Sequence, residues 1–161
     1  MTTLQRVIDV LEKARVRYTH TSHPVAYTAR DVAAAEHVSP HRVAKTVVYS
    51  GERGYGMAVV PADCVVDLEE LRNAVGSMQI RLATEAEIGA LFPESELGAM
   101  PPLGPMFDLP VVVDGSLSEE EFIAFNAGTH RDVIHMSFGD FVRVSKAEGA
   151  HVGRTVKMAA H

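Results

Sequence analysis

His41–Tyr49, HRVAKTVVY, places a lysine where a short helical turn gives way to a buried strand. Ser39-Pro40 just upstream has the grammar of a helix start, with Ser as N-cap and Pro at the first helical position, where its missing N–H is not needed. Thr46-Val47-Val48-Tyr49 is β-branched and aromatic, which suits a packed strand, so the turn must be brief. Lys45 sits at the seam. An ammonium among apolar neighbours must pair with an anion or lower its pKa, and its compact, rotatable head suits a phosphate or a carboxylate. The alternative is a stem lying on apolar surface with the head in water.

Downstream, Gly51-Glu52-Arg53-Gly54 is a glycine-bounded turn into Tyr55–Val60, which makes residues 46–60 a β-hairpin. Upstream, Leu4, Val7, Ile8 and Leu11 follow the helical period and predict a helix over 3–14. A strand over Val16–His20 is then broken by His23-Pro24, and Thr28 with Asp31 caps a second helix through VAAAE. Asp67 opens a helix over Leu68–Val75 that Gly76 ends. After a strand at Ile80–Ala83, Thr84 with Glu87 begins a helix that Pro93 stops. Glu94–Leu109, ESELGAMPPLGPMFDL, is too rich in proline and glycine for regular structure, yet Met100, Leu103, Met106 and Phe107 are poor choices for a solvated linker. It reads as a loop that packs down and lines something. Pro110–Val113 is an apolar strand turned by Asp114-Gly115. Phe122–Phe125 and Asp132–Met136 are strands around the turn 126–131, and Ser137 caps a last helix near Asp140–Val144.

Helices and strands are interspersed, so the expected fold is mixed α/β: a curved or barrel-like sheet of about six or seven strands surrounded by helices. The chain of 161 residues, 47% hydrophobic and 22% charged, is expected to be one domain over 1–161. No apolar run reaches membrane-spanning length and the N-terminus is an amphipathic helix rather than a secretory signal, so a cytoplasmic protein with no membrane contact is expected. A monomer is favoured. The net charge of −6 does not advertise nucleic-acid binding, so any such contact must be local; the basic residues of the N-terminal third either form one basic face or, the reading favoured, carry no such meaning once folded.

Neither a GxSxG elbow nor a Walker or Rossmann glycine loop is present. Cys64, the only cysteine, precludes an internal disulfide and reads as a small apolar filler. Of the eight histidines, His37 and His41 are four apart but Pro40 interrupts them, and His20 and His23 straddle a strand end, so no metal site is expected. The informative pairing is Lys45 with the Gly98–Gly104 segment. Gly98 and Gly104 can take backbone angles closed to other residues, and Pro101 and Pro102 stiffen the loop, so its N–H groups could be held ready for a carbonyl or oxyanion. A packed surface loop is the plainer alternative.

HPVAYTARDVA, then VAKTVVY, then the GxxxP element Gly98–Pro102 continuing as PLG, then FNAGTHRDVIHMSFGDF, together resemble the YbaK/prolyl-tRNA synthetase-associated editing-domain family over nearly the whole chain. The resemblance implies a free-standing hydrolase that cleaves the ester of a wrong amino acid on a tRNA 3′ end, without metal or organic cofactor. By it Lys45 holds the phosphate region of the terminal nucleotide, and Gly98, Ala99, Met100, Pro101 and Pro102 present main chain to the aminoacyl carbonyl. His130 orients a water or meets the amino group, against the alternative of an exposed turn histidine. Thr46, Gly104 and Asp132 complete the expected pocket. The partner implied is the aminoacyl-tRNA acceptor end, with an aminoacyl-tRNA synthetase left open as a second. Ser22 and Val133 stand where cysteine-editing relatives carry a tyrosine and an aspartate, which points away from cysteine and toward a small amino acid such as alanine. The rival readings are a catalytically silent binding module for an aminoacyl-adenosine-like ligand, tRNA end or protein partner, and a metal hydrolase.

Overall fold

In chain order the first elements are α1 (Thr3–Lys13), β1 (Tyr18–Ser22), α2 (Ala29–Glu36), β2 (Ala44–Gly51), β3 (Gly54–Pro61), β4 (Cys64–Val66), α3 (Leu68–Val75), β5 (Ile80–Leu82) and α4 (Glu85–Leu91). There follow β6 (Val111–Asp114), β7 (Phe122–Asn126), β8 (Asp132–Ser137), α5 (Phe138–Ser145), β9 (Glu148–Ala150) and β10 (Gly153–Thr155), with 3-10 turns at Pro40–Arg42, Gly104–Phe107 and Gly115–Glu119. The structure, a computed structural model, describes residues 1–156, so positions 157–161 of the expected unit lie outside the described residues.

The hairpin read from the seam forms the centre. β2 and β3 pair antiparallel from Ala44 opposite Pro61, through Lys45 opposite Val60, to Gly51 opposite Gly54. β3 carries six consecutive buried residues, and each of its large apolar side chains contributes about 1.5–3 kcal/mol by burial. On one side β5 joins β2, and on the other β6 and β9 add in parallel, giving the order β5-β2-β3-β6-β9. A second, antiparallel sheet has the order β1-β8-β7, and a single parallel bridge between Val43 and Ala124 ties it to the foot of β2. Val7 and Leu11 of α1 pack with Met57, Val59, Ile123, Phe125 and Phe141 in the largest core cluster.

Local chemistry sets the boundaries. Thr84 and Glu87 form a full capping box on α4, Asp67 accepts from the Glu69 and Glu70 N–H groups, and Ser137 accepts from Asp140 N–H. Gly76 ends α3 at φ 69°, a left-handed angle that a side chain would strain. The mixed α/β class is the one expected, but the sheets stay open and the described residues hold ten strands rather than six or seven. The additional three, β4, β9 and β10, are each three residues long, too short for any periodicity to register. The segment 94–109 packs down as read, with Met100 and Leu103 in the core, although it contains the 3-10 turn at Gly104–Phe107.

Asp114, at the end of β6, ties the C-terminal strands to the sheet. Its carboxylate accepts from Val152 N–H at 2.9 Å, Gly153 N–H at 2.8 Å and Ser116 N–H at 3.2 Å, and from the Ser116 hydroxyl. Burial alone would raise its pKa, but these bonds outweigh burial and hold it below the ordinary value. Replacing Asp114 with Ala leaves two buried N–H groups without an acceptor and is expected to cost about 2–3 kcal/mol in urea unfolding at neutral pH. A depressed folded pKa contributes stability above the unfolded value, about 3.9, and loses it as pH falls through the folded value. The gap between wild type and variant should therefore narrow in acid.

Candidate active site

Lys45 enters β2 from the Pro40–Arg42 turn with its ammonium half-buried, and Nζ donates to the Cys64 carbonyl at 2.7 Å. That uses one of three donors, and among the described residues no carboxylate pairs with it. Burial lowers its pKa. Cys64 and Asp63 oppose that shift and Arg30 adds to it. Lys45 opens onto a cavity of about 430 Å³ whose lining includes Tyr27, Arg30, Thr46, Gly98, Met100 and Asn126. Two cations therefore share one hollow, and among the described residues no carboxylate lines it.

Gly98 stands at φ 85°, a left-handed angle that suits glycine. Of the main-chain donors in Gly98–Pro102, prolines 101 and 102 have none and Ala99 N–H is spent on Glu96 O at 3.0 Å. The N–H groups of Gly98 and Met100 find no acceptor among the described residues, and both residues line the cavity. A reciprocal brace holds them. Glu96 N–H donates to Gly128 O and Gly128 N–H donates to Ala99 O, each at 2.8 Å. An oxyanion is stabilised by donors held fixed beside positive charge, and these amides and cations line one cavity.

The candidate residues divide. Lys45, Thr46, Gly98 and Met100 meet at the cavity, whereas Ala99, Pro101 and Pro102 are buried behind it. Gly104 packs so closely on Leu109 and Val111 that a Cβ would overlap them, which is a packing role. His130 is neither an exposed turn histidine nor a cavity group. It is 7% exposed, its Nε2 donates to Leu97 O at 2.7 Å, and its main-chain N–H donates to the Glu96 carboxylate at 2.9 Å. The imidazole thus supports the Gly98 loop from behind. Asp132 also turns away: its carboxylate accepts from the Thr129 hydroxyl at 2.7 Å and the Ser22 hydroxyl at 3.0 Å and lies 2.8 Å from His20 Nε2. Burial would raise its pKa, but the Thr129, His20 and Ser22 contacts hold it low.

Cys64 also lines the cavity, yet burial and the nearby Asp63 push its thiol up to about 11, so it stays protonated at neutral pH and is no nucleophile. Among the described residues no group of three or more His, Cys, Asp or Glu is placed to hold a metal ion. Sequence reasoning missed Tyr27, Arg30 and Asn126. Tyr27 and Arg30 lie within HPVAYTARDVA and Asn126 within FNAGTHRD, stretches whose positions carry no distinguishing pattern of their own.

A family model for the aminoacyl-tRNA editing domain matches residues 23–144. The chain is 27% identical over 158 residues to the Multifunctional Ser/Thr-tRNA deacylase ProXp-y of Escherichia coli (strain K12), spanning 95% of this chain and 94% of that one. It is 23% identical over 151 residues to the Prolyl-tRNA editing protein ProX of Acetoanaerobium sticklandii, spanning 90% and 92%. A solved structure provisionally described as a trans-editing enzyme for prolyl tRNA synthetase superposes with a TM-score of 0.83 at 23% identity, over 96% of this chain and 98% of that one. At that identity the likeness speaks to the fold.

If His130 braces the loop, His130→Ala should cost about 1–2 kcal/mol of stability, one lost hydrogen bond plus an exposed loop carbonyl. Native-state hydrogen exchange checks the location of the effect: the Ala99 and Gly128 amides, which are hydrogen-bonded in the brace, should exchange faster, while amides of β3 keep their protection.

Proposed function

The chain belongs to the aminoacyl-tRNA editing domain family, and on that premise we propose that it is a trans-acting deacylase that hydrolyses the ester joining a small, wrong amino acid to the 3′ end of a tRNA. The observation that carries this reading is that Gly98 and Met100, whose amides find no acceptor among the described residues, line the same cavity as Lys45 and Arg30. Lys45 and Arg30 take the phosphate of the terminal nucleotide, a role that fits cations lacking any carboxylate partner. Gly98 and Met100 N–H receive the carbonyl oxygen as it gains charge. Water adds to the acyl carbon, the acyl–oxygen bond to the ribose breaks, and the water's proton ends on the departing ribose oxygen. An aminoacyl ester is already reactive, so orientation and charge stabilisation suffice without a side-chain nucleophile. The chain acts as one editing domain over 1–161, in the cytoplasm, and needs no metal. Its partner is the acceptor end of aminoacyl-tRNA. The relatives named for prolyl-tRNA editing and Ser/Thr-tRNA deacylation support this chemistry.

A panel of mischarged tRNAs tests the reading. Wild type should release amino acid from alanyl- or seryl-tRNA at a rate unchanged by EDTA. Lys45→Ala should lower kcat/KM about 10- to 100-fold, the worth of a hydrogen bond to a charged group, with an unshifted melting temperature. Binding of tRNA without ester loss would instead favour a silent module, and loss of activity in EDTA a metal hydrolase.

A further inference from the structure

The ring nitrogens of His41, the middle residue of the 3-10 turn Pro40–Arg42, meet only acceptors among the described residues. Nδ1 lies 3.2 Å from both carboxylate oxygens of Asp63, and Nε2 lies 3.1 Å from Ser116 O and 3.7 Å from the Glu119 carboxylate. A neutral imidazole has one N–H to give and the imidazolium has two, so only the charged ring bonds a carboxylate on one side and a carbonyl on the other. Burial would lower its pKa, but the bonds to Asp63 and Ser116 O, with the charges of Asp63 and Glu119, hold it above the ordinary value. Asp114, Cys64, His151 and Arg154 line the same hollow as His41. On its own turn Arg42 is occupied by Glu120.

This ion pair sits against the support of Lys45. Asp63 immediately precedes Cys64, whose carbonyl accepts from the Lys45 ammonium at 2.7 Å. The segment that carries His41 also grips the main chain one residue earlier, where Ala62 N–H donates to Pro40 O at 3.1 Å and to Val43 O at 2.9 Å. Residues 62 and 63 are thus held by main chain and side chain together, which fixes the direction of the carbonyl that follows. The Asp63 charge is also felt by Lys45, so a carboxylate released from His41 would compete with a phosphate for the ammonium. Resting on the deacylase reading, we infer that His41 is a positioning residue for Lys45: its imidazolium clasps Asp63, keeping the Cys64 carbonyl seated against the ammonium and the carboxylate away from it. A group whose folded pKa is raised makes its contribution below the unfolded value, about 6.5, and loses it as pH rises through the folded value. The clasp is therefore closed in mild acid and opens with rising pH, although His41 does not line the cavity.

The test compares kcat/KM of wild type and His41→Gln across pH, on whichever of alanyl- and seryl-tRNA wild type cleaves faster. The ester's own reaction with hydroxide and the titration of His151 act on both proteins, so their ratio isolates His41. Wild type should lead by about five- to tenfold below about pH 6, part of the worth of a hydrogen bond to a charged group, and the lead should vanish as pH rises through the His41 pKa. An NMR titration of the full chain reads the same event without substrate. The Lys45 ε-methylene signals should move at the midpoint of the His41 ring, and Asp63→Asn, which keeps the shape and removes the charge, should lower that midpoint. This second measurement carries the comparison if His41→Gln fails to fold. A ratio constant with pH, or Lys45 signals that ignore the His41 midpoint, would make the ring a packing group and overturn the inference. A wild type that cleaves neither ester would overturn the deacylase reading instead, and the Lys45 signals would still decide for or against the clasp.

Discussion

Two main-chain hydrogen bonds, Glu96 N–H to Gly128 O and Gly128 N–H to Ala99 O, hold the site together. They lock the proline-bearing loop onto the turn between β7 and β8, so the loop cannot fold its own donors inward. His130 strengthens the lock twice, through Leu97 O and through the Glu96 carboxylate. With Ala99 N–H spent on Glu96 and prolines at 101 and 102, only the Gly98 and Met100 N–H groups of Gly98–Pro102 lack an acceptor among the described residues, and both residues line the cavity. Met100 and Leu103 anchor the far end of the loop in the core. Rigidity here comes from packing and covalent chemistry together, which is what an electrostatic site requires: donors that need no reorganisation when charge develops.

Opposite that loop, β2 supplies one cation, Lys45, and α2 the other, Arg30. β2 and β3 are the centre of the larger sheet, and Lys45 leaves β2 at the point where it touches the second sheet through Val43 and Ala124. The chain is acidic overall, at −6, yet its cavity has Lys45 and Arg30 and, among the described residues, no carboxylate. Attraction for a polyanion is therefore confined to a small area. On the deacylase reading proposed above, such a surface would grip one nucleotide end, with an affinity that is modest and sensitive to salt.

Much of this was legible in the sequence because it was written in local chemistry. The hairpin at 46–60, the Thr84–Glu87 cap, the Gly76 stop and the packed-down loop all follow from residues within a few positions of one another. The site was legible where one residue type had few alternatives: a lysine at a strand entry, a glycine before two prolines. What could not be read was direction. His130 was open to two readings, a group for the cavity or an exposed turn histidine, and it is buried with Nε2 donating to a carbonyl 33 residues away in the chain. Asp132 likewise serves the turn and β1, and Arg30, Tyr27 and Asn126 reach the cavity only because α2 and β7 converge on the foot of β2. The strands β4, β9 and β10 exist through partners far along the chain, with no pattern of their own.

The most direct test of the account is a heteronuclear NMR titration with a 3′-alanylamino-3′-deoxyadenosine, in which an amide replaces the labile ester. The Gly98 and Met100 amide protons should move downfield together as the analogue's carbonyl reaches them, with the Lys45 side chain perturbed in the same titration. Shifts elsewhere, with those two amides unmoved at saturation, would show that the carbonyl binds away from the loop and would contradict the mechanism.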